Sequence, residues 1–158
     1  MEQKSCGWFA GIGCLALLGI GGAGFIIFVI YFSTGPEGGT RLANQMEEYA
    51  TAYLETHDIL QPGEELVAYY DATIGLDGTE AIILTRQRLI YHNGGENSAV
   101  ELHRIREVKE RDDGLSGTAF EVYTTDGNYM EVVIAPLNGA DTFSNALNTT
   151  LGHIQQSR

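Results

Sequence analysis

The chain has 158 residues, with 21 Asp and Glu against 9 Lys and Arg, and a formal net charge of −12. That balance argues against nucleic acid as a partner, because neutralising phosphates dominates such binding. The two cysteines, Cys6 and Cys14, both lie near the amino terminus, so no disulfide framework can staple the remainder.

No charge occurs from Ser5 to Pro36, and the apolar heart of that run is Trp8 to Phe32. A helix rises about 1.5 Å per residue, so roughly 20 residues cross about 30 Å of hydrocarbon. The run is predicted to be one transmembrane helix, with residues 1–35 forming a tail and a membrane anchor. A cleaved signal peptide would have an apolar core of roughly 7–15 residues and a small-x-small exit. Tyr31-Phe32-Ser33-Thr34-Gly35 offers no such exit. Gly7, Gly11, Gly19 and Ala23 fall on one i, i+4 stripe broken by Leu15. Small stripes let two helices approach closely in lipid, which makes self-association one reading. Glycine is also common in anchors that have no partner. Lys4 and Arg41 balance across the run, so charge gives almost no orientation; the free amine leans towards an external domain.

Residues 36–60 are predicted to be a Gly/Pro linker followed by an amphipathic helix. Leu42, Met46, Tyr49, Ala50, Tyr53 and Leu54 share one face of a helix over 41–56. That face must bury against something, most simply the domain that follows.

Residues 61–158 form the predicted domain. From Gln61-Pro62-Gly63-Glu64 onward the pattern changes to period two and short apolar runs. Strands are expected over 65–73, 80–85, 88–92, 99–103, 105–111, 118–124 and 128–134. Turn-formers separate most of them, among them Gly75-Leu76-Asp77-Gly78, Asn93-Gly94-Gly95, Asp112-Asp113-Gly114 and Asp126-Gly127. Seven short strands at this spacing suggest a closed or sandwiched antiparallel sheet. Pro136 stops the last one, and a helix over 139–155 follows, with Phe143, Leu147, Leu151 and Ile154 inward. The fold class is α+β. Leu84, Leu89, Tyr91, Phe120, Val122, Phe143 and Leu147 are the expected core.

Ala81-Ile82-Ile83-Leu84-Thr85-Arg86-Gln87-Arg88-Leu89-Ile90-Tyr91 resembles the hairpin of bacterial pleckstrin-homology-like and GRAM-like domains. Gly63-Glu64 is similar to their opening turn, and Leu102, Ile105 and Val108 resemble the strand after the hairpin. The resemblance covers about residues 60–154. It implies a seven-stranded antiparallel sheet or barrel closed by a carboxy-terminal helix. It further implies a binding module for a protein or peptide, docked on the sheet or in the groove beside the last helix. Such domains are mostly displayed in the cytoplasm of bacteria, which implies the cytoplasmic face of the cell (inner) membrane.

The charges refine that picture. Ten carboxylates and one Arg occupy residues 37–85. Family members that bind phosphate carry bases in the first hairpin loop; here residues 71–80 hold three carboxylates and none. The candidate binding residues are Arg86, Arg88, Arg104, Arg106, Lys109 and Arg111. Salt-bridged surface is the bland reading of all six, and an anionic-lipid patch along 104–111 is the sharper one. On a regular strand Arg104 and Arg106 share one face and Lys109 and Arg111 the other. His57, His92, His103 and His153 lack metal-ligand spacing, and no nucleophile elbow, P-loop or nucleotide fingerprint occurs. The sequence therefore predicts no enzyme and no cofactor, but a single-pass, membrane-anchored binding module. The alternative is a self-associating scaffold built from the glycine stripe and the Tyr49/Tyr53 helix.

Overall fold

The computed structural model describes residues 38–156. The sequence-predicted span over 8–32, with Gly7, Gly11, Gly19 and Ala23, lies outside the described residues. Among the described residues no helix is long and apolar enough to cross a membrane.

The strands are β1 (Arg41–Leu42), β2 (Leu66–Asp71), β3 (Glu80–Thr85), β4 (Arg88–Asn93), β5 (Glu96–Glu101), β6 (Ile105–Asp112), β7 (Thr118–Thr124) and β8 (Tyr129–Ile134). The helices are α1 (Glu48–Thr56) and α2 (Ala140–Gln156), with short 3-10 turns at Ala43–Gln45, Leu102–Arg104 and Gly114–Ser116. All pairings are antiparallel. One sheet has the order β1-β2-β3-β4-β5 and the other β6-β7-β8. The expected seven strands are all present, joined by the two-residue β1 and divided between two sheets.

The five-stranded sheet is covered on both faces. Ile82, Leu84 and Leu89 point inward to Phe120, Val122, Val132, Phe143 and Leu147. Ala81, Ile83 and Ile90 point the other way, to Ala50, Leu54 and Ile59. Two-sided burial explains why Ala81-Ile82-Ile83-Leu84 reads as an unbroken apolar run. Tyr91, expected in the core, is half-buried, and its hydroxyl donates to Glu80 Oε1 (2.5 Å).

The predicted helix over 41–56 is shorter at its start. Arg41 and Leu42 pair with Tyr69 and Ala68 at the edge of β2, and Thr40 N–H donates to the Asn138 carbonyl (2.8 Å). A free sheet edge and a helix compete for the same backbone groups, and here the edge wins. At the other end Ile59 N–H reaches back to the Leu54 carbonyl (3.1 Å) and Asp58 N–H to that of Glu55 (3.3 Å). Asp58 closes this Schellman turn at φ +48°, a place glycine usually takes.

The fourth expected strand, 99–103, instead runs as β5 from Glu96. Gly94 and Gly95, at φ +57° and +93°, make a two-residue hairpin turn that fixes the register from Asn93↔Glu96 onward. Glu96, Asn97 and Ser98 are exposed, so nothing apolar marks them as strand.

Candidate functional site

Five of the six basic residues singled out above are spent on neighbouring carboxylates. Arg86 pairs with Glu65. Arg88 grips Glu64 with both arms, Nε to Oε1 at 2.9 Å and Nη2 to Oε2 at 2.5 Å, and also reaches the Ile59 carbonyl (3.4 Å). The Glu64 side chain is only 3% exposed. Burial pushes its carboxyl up, but Arg88, the Gln61 N–H and the Thr85 hydroxyl outweigh that and hold it down at about 2. Arg104 pairs with Asp126, and Lys109 lies 3.8 Å from Glu107 and 5.1 Å above the Tyr123 ring. Arg111 meets Asp113, Glu121 (3.2 Å) and Glu131 (3.6 Å). The pairs of Arg104, Lys109 and Arg111 form a solvated outer face of the three-stranded sheet and its flanking turns, whereas Arg86 and Arg88 belong to the five-stranded sheet, Arg88 in a largely buried pair.

Arg106 is different: it makes no hydrogen bond or ion pair among the described residues. Arg104 sits in the 3-10 turn before β6, and the pairing of β6 with β7 shifts register between Ile105 and Glu107. Arg104 and Arg106 therefore do not share a strand face. Arg106 sits in the irregularity itself, unpaired with β7, and lines the same groove as Val108. Val108 packs on the main core and Glu110 accepts from the Ser144 hydroxyl of α2. Arg106 thus lies in a groove between β6 and α2, bounded by Val108, Asn148, Leu151, Gly152 and Gln155, with a volume of about 250 Å³.

The wall of this groove is an open sheet edge. Among the described residues β6 has only β7 as a strand neighbour. Asp113 N–H bonds to the Gly117 carbonyl (2.9 Å), so in this register the odd-numbered residues of β6 direct their backbone groups to β7. Antiparallel ladders alternate, which leaves Val108, Glu110 and Asp112 directing theirs away from β7.

A larger hollow, about 980 Å³, lies between α1 and the connection to β2, walled by Met46, Leu54, Leu60 and Leu66 and rimmed by Glu55, Asp58 and Glu65. It offers apolar walls and acidic rim residues, with no Lys or Arg among the described residues that line it.

Sequence reasoning missed a buried polar row beneath α1. Asp71, Ala81, His92 and Asn97 stand level across β2 to β5. Asp71, 5% exposed, accepts from the Tyr49 hydroxyl (3.1 Å), Thr73 N–H (2.8 Å) and Gly78 N–H (2.9 Å). His92, 1% exposed, donates from Nδ1 to Asn97 Oδ1 (2.8 Å) and accepts at Nε2 from the Tyr53 hydroxyl (3.1 Å). Burial and the Asp71 carboxylate push the Tyr49 and Tyr69 hydroxyls far up. Among the described residues no buried side-chain polar atom lacks a partner. This row fastens α1 to the sheet, and it engages Tyr49 and Tyr53 within their own domain. The Asp71…Thr73 and Gly78 spacing was the only sequence signal for it.

No protein-family model and no curated protein matches the chain. One solved structure that it resembles is the C-terminal domain of an unknown protein from Leishmania infantum, at 13% identity over 64% of this chain and 95% of that one, with a TM-score of 0.45.

Proposed function

We propose that this chain is a single-pass membrane protein displaying a pleckstrin-homology-like binding module on the cytoplasmic face, and that the module receives an extended peptide along β6. The observation that carries the reading is Arg106, the one residue of the predicted basic set without a partner among the described residues, lying in a groove beside an open strand edge. An added strand would satisfy its backbone on the edge of β6, and alternate side chains would enter the groove towards α2. Arg106 favours an acidic side chain or a terminal carboxylate at that point. The charges along β6 discourage a second copy of the same edge from pairing there.

Gly152 supplies the test. A Cβ built there meets nothing within 4 Å, so Gly152→Trp fills the groove without a clash at the backbone. A proximity-labelling tag fused at Arg158 should report a set of neighbours in intact cells. That set should shrink in Gly152→Trp while protein level and thermal midpoint hold. An unchanged set would sink the groove as the docking site.

A further inference from the structure

Three large apolar side chains are fully exposed at turn tips: Ile74, Leu115 (99%) and Leu137 (105%). Leu137 is the most telling. It is the third residue of the turn Ala135-Pro136-Leu137-Asn138, closed by Asn138 N–H to the Ala135 carbonyl (3.2 Å), and its φ is +66°. That position of such a turn suits glycine or asparagine. A leucine there strains the backbone and packs against nothing. Leu115 sits on the Gly114–Ser116 turn between β6 and β7, with Gly114 and Gly117 on either side at φ +59° and +105°.

Direct contacts gather these tips at one end of the fold. A Cβ on Gly117 would come 2.1 Å from the Ile134 carbonyl oxygen, so the β6–β7 turn rests on the strand that leads to Leu137. Ala135 N–H donates to the Tyr70 hydroxyl (3.2 Å), one residue before the end of β2 and four before Ile74. Thr40 N–H bonds to the Asn138 carbonyl (2.8 Å), so the chain joins the domain beside Leu137 itself. Phe32, the last residue of the apolar run, is eight residues before Thr40. Even fully extended, eight residues span at most about 29 Å.

We propose that Leu115 and Leu137 dip into the apolar margin of the lipid bilayer and seat this end of the domain on the membrane surface. The proposal rests on residues 8–32 being a membrane span. Charge decides the kind of lipid contact. Asp112 and Asp113 flank Leu115, with Asp112 capped by Gly114 N–H and Asp113 held by Arg111, and Asp141 follows Leu137. Among the described residues no uncompensated base stands at either tip to draw an anionic headgroup. The contact is therefore with acyl chains, not with headgroup charge.

The full-length protein, with Cys6→Ser and Cys14→Ser, is reconstituted in phosphatidylcholine vesicles that carry an acyl-chain quencher. An environment-sensitive fluorophore is placed at Ser116→Cys, beside Leu115, or at Gln87→Cys in the exposed β3–β4 turn. The Ser116 probe should be blue-shifted and quenched by the lipid, and the Gln87 probe should be neither. Leu115→Ser with Leu137→Asn should lose the Ser116 quenching without lowering the thermal midpoint, because asparagine suits that turn. Equal exposure of the two probes overturns the proposal. So does a blue shift without lipid quenching, which would mean a protein covers the tip, or quenching that requires phosphatidylglycerol. Release of the protein by alkaline carbonate would instead defeat the span, whatever the probes report.

Discussion

The two faces of the five-stranded sheet are buried by different means. The inner face meets the second sheet and α2 mainly through apolar side chains, with Phe120 and Phe143 edge-on at 5.4 Å between ring centres and one hydrogen bond, Ala135 N–H to the Tyr70 hydroxyl. The outer face lies under the nine-residue α1, and there polar groups are interleaved with apolar ones: Tyr49 on Asp71, Tyr53 on His92. A broad face holds by contact area. A helix of barely three turns is marginal by itself and covers little. It is fixed instead by hydrogen bonds aimed from its tyrosines, each of which also fixes the helix in register.

The sharpest way to break this comparison is to hollow the inner layer. Phe143→Ala should cost about 3–5 kcal/mol in urea unfolding and melt both layers together. Against a typical domain stability of about 5–15 kcal/mol that is a large loss. A loss under about 0.5 kcal/mol, the range of surface changes, would show that α2 is not part of the core.

The next test addresses how the outer layer is tethered to the sheet. Glu64 and Arg88 bind the connection after α1 to the start of β4. The Glu64 carboxyl is depressed in the fold, from 4.5 to about 2. Its contribution is therefore present above about pH 4.5 and is lost as pH falls through about 2. Glu64→Gln should be less stable by about 3 kcal/mol at pH 7, the scale of a broken buried pair. The gap to the parent should close between pH 4.5 and pH 2. A gap that stays constant down to the lower end would assign the loss to packing instead.

The smallest expected effect separates the layers. Gly78 sits at φ +80°, and a Cβ there would come 2.7 Å from Tyr53 Cγ. Gly78→Ala should cost about 1–3 kcal/mol through backbone strain and displacement of that ring. Hydrogen exchange should show protection lost in α1 and kept in β7 and β8. Protection lost evenly would mean that the two layers open as one unit.

Much of this was legible in the chain. β3 and β7 begin and end where period two and turn residues place them, and Phe143 and Leu147 fall on the buried side of α2 as their spacing requires. Arg86 and Arg88, candidate binding residues with salt bridging as their bland reading, pair with Glu65 and Glu64. The start of β5 did not show, because an edge strand wet on both sides carries no apolar signal. Nor did the start of α1 at Glu48, because hydrogen bonds from a distant strand edge outweigh local propensity. The groove was legible only as a basic stretch. That Arg106 alone of its set lacks a partner among the described residues depends on where Asp126, Glu121 and Glu131 arrive from other strands.

The sequence by itself determined the local elements, the acidic balance and the uncharged run over 5–36, because each is written in consecutive residues. Only the tertiary structure decided that the five-stranded sheet is buried twice, and that Asp71 and His92 fasten a helix. It also decided that Leu137 emerges beside Thr40. Each of these is a meeting of residues tens of positions apart, and the physical reason is the same throughout. Burial and hydrogen bonding act on neighbours in space, and the pattern of one strand does not say which neighbours those will be.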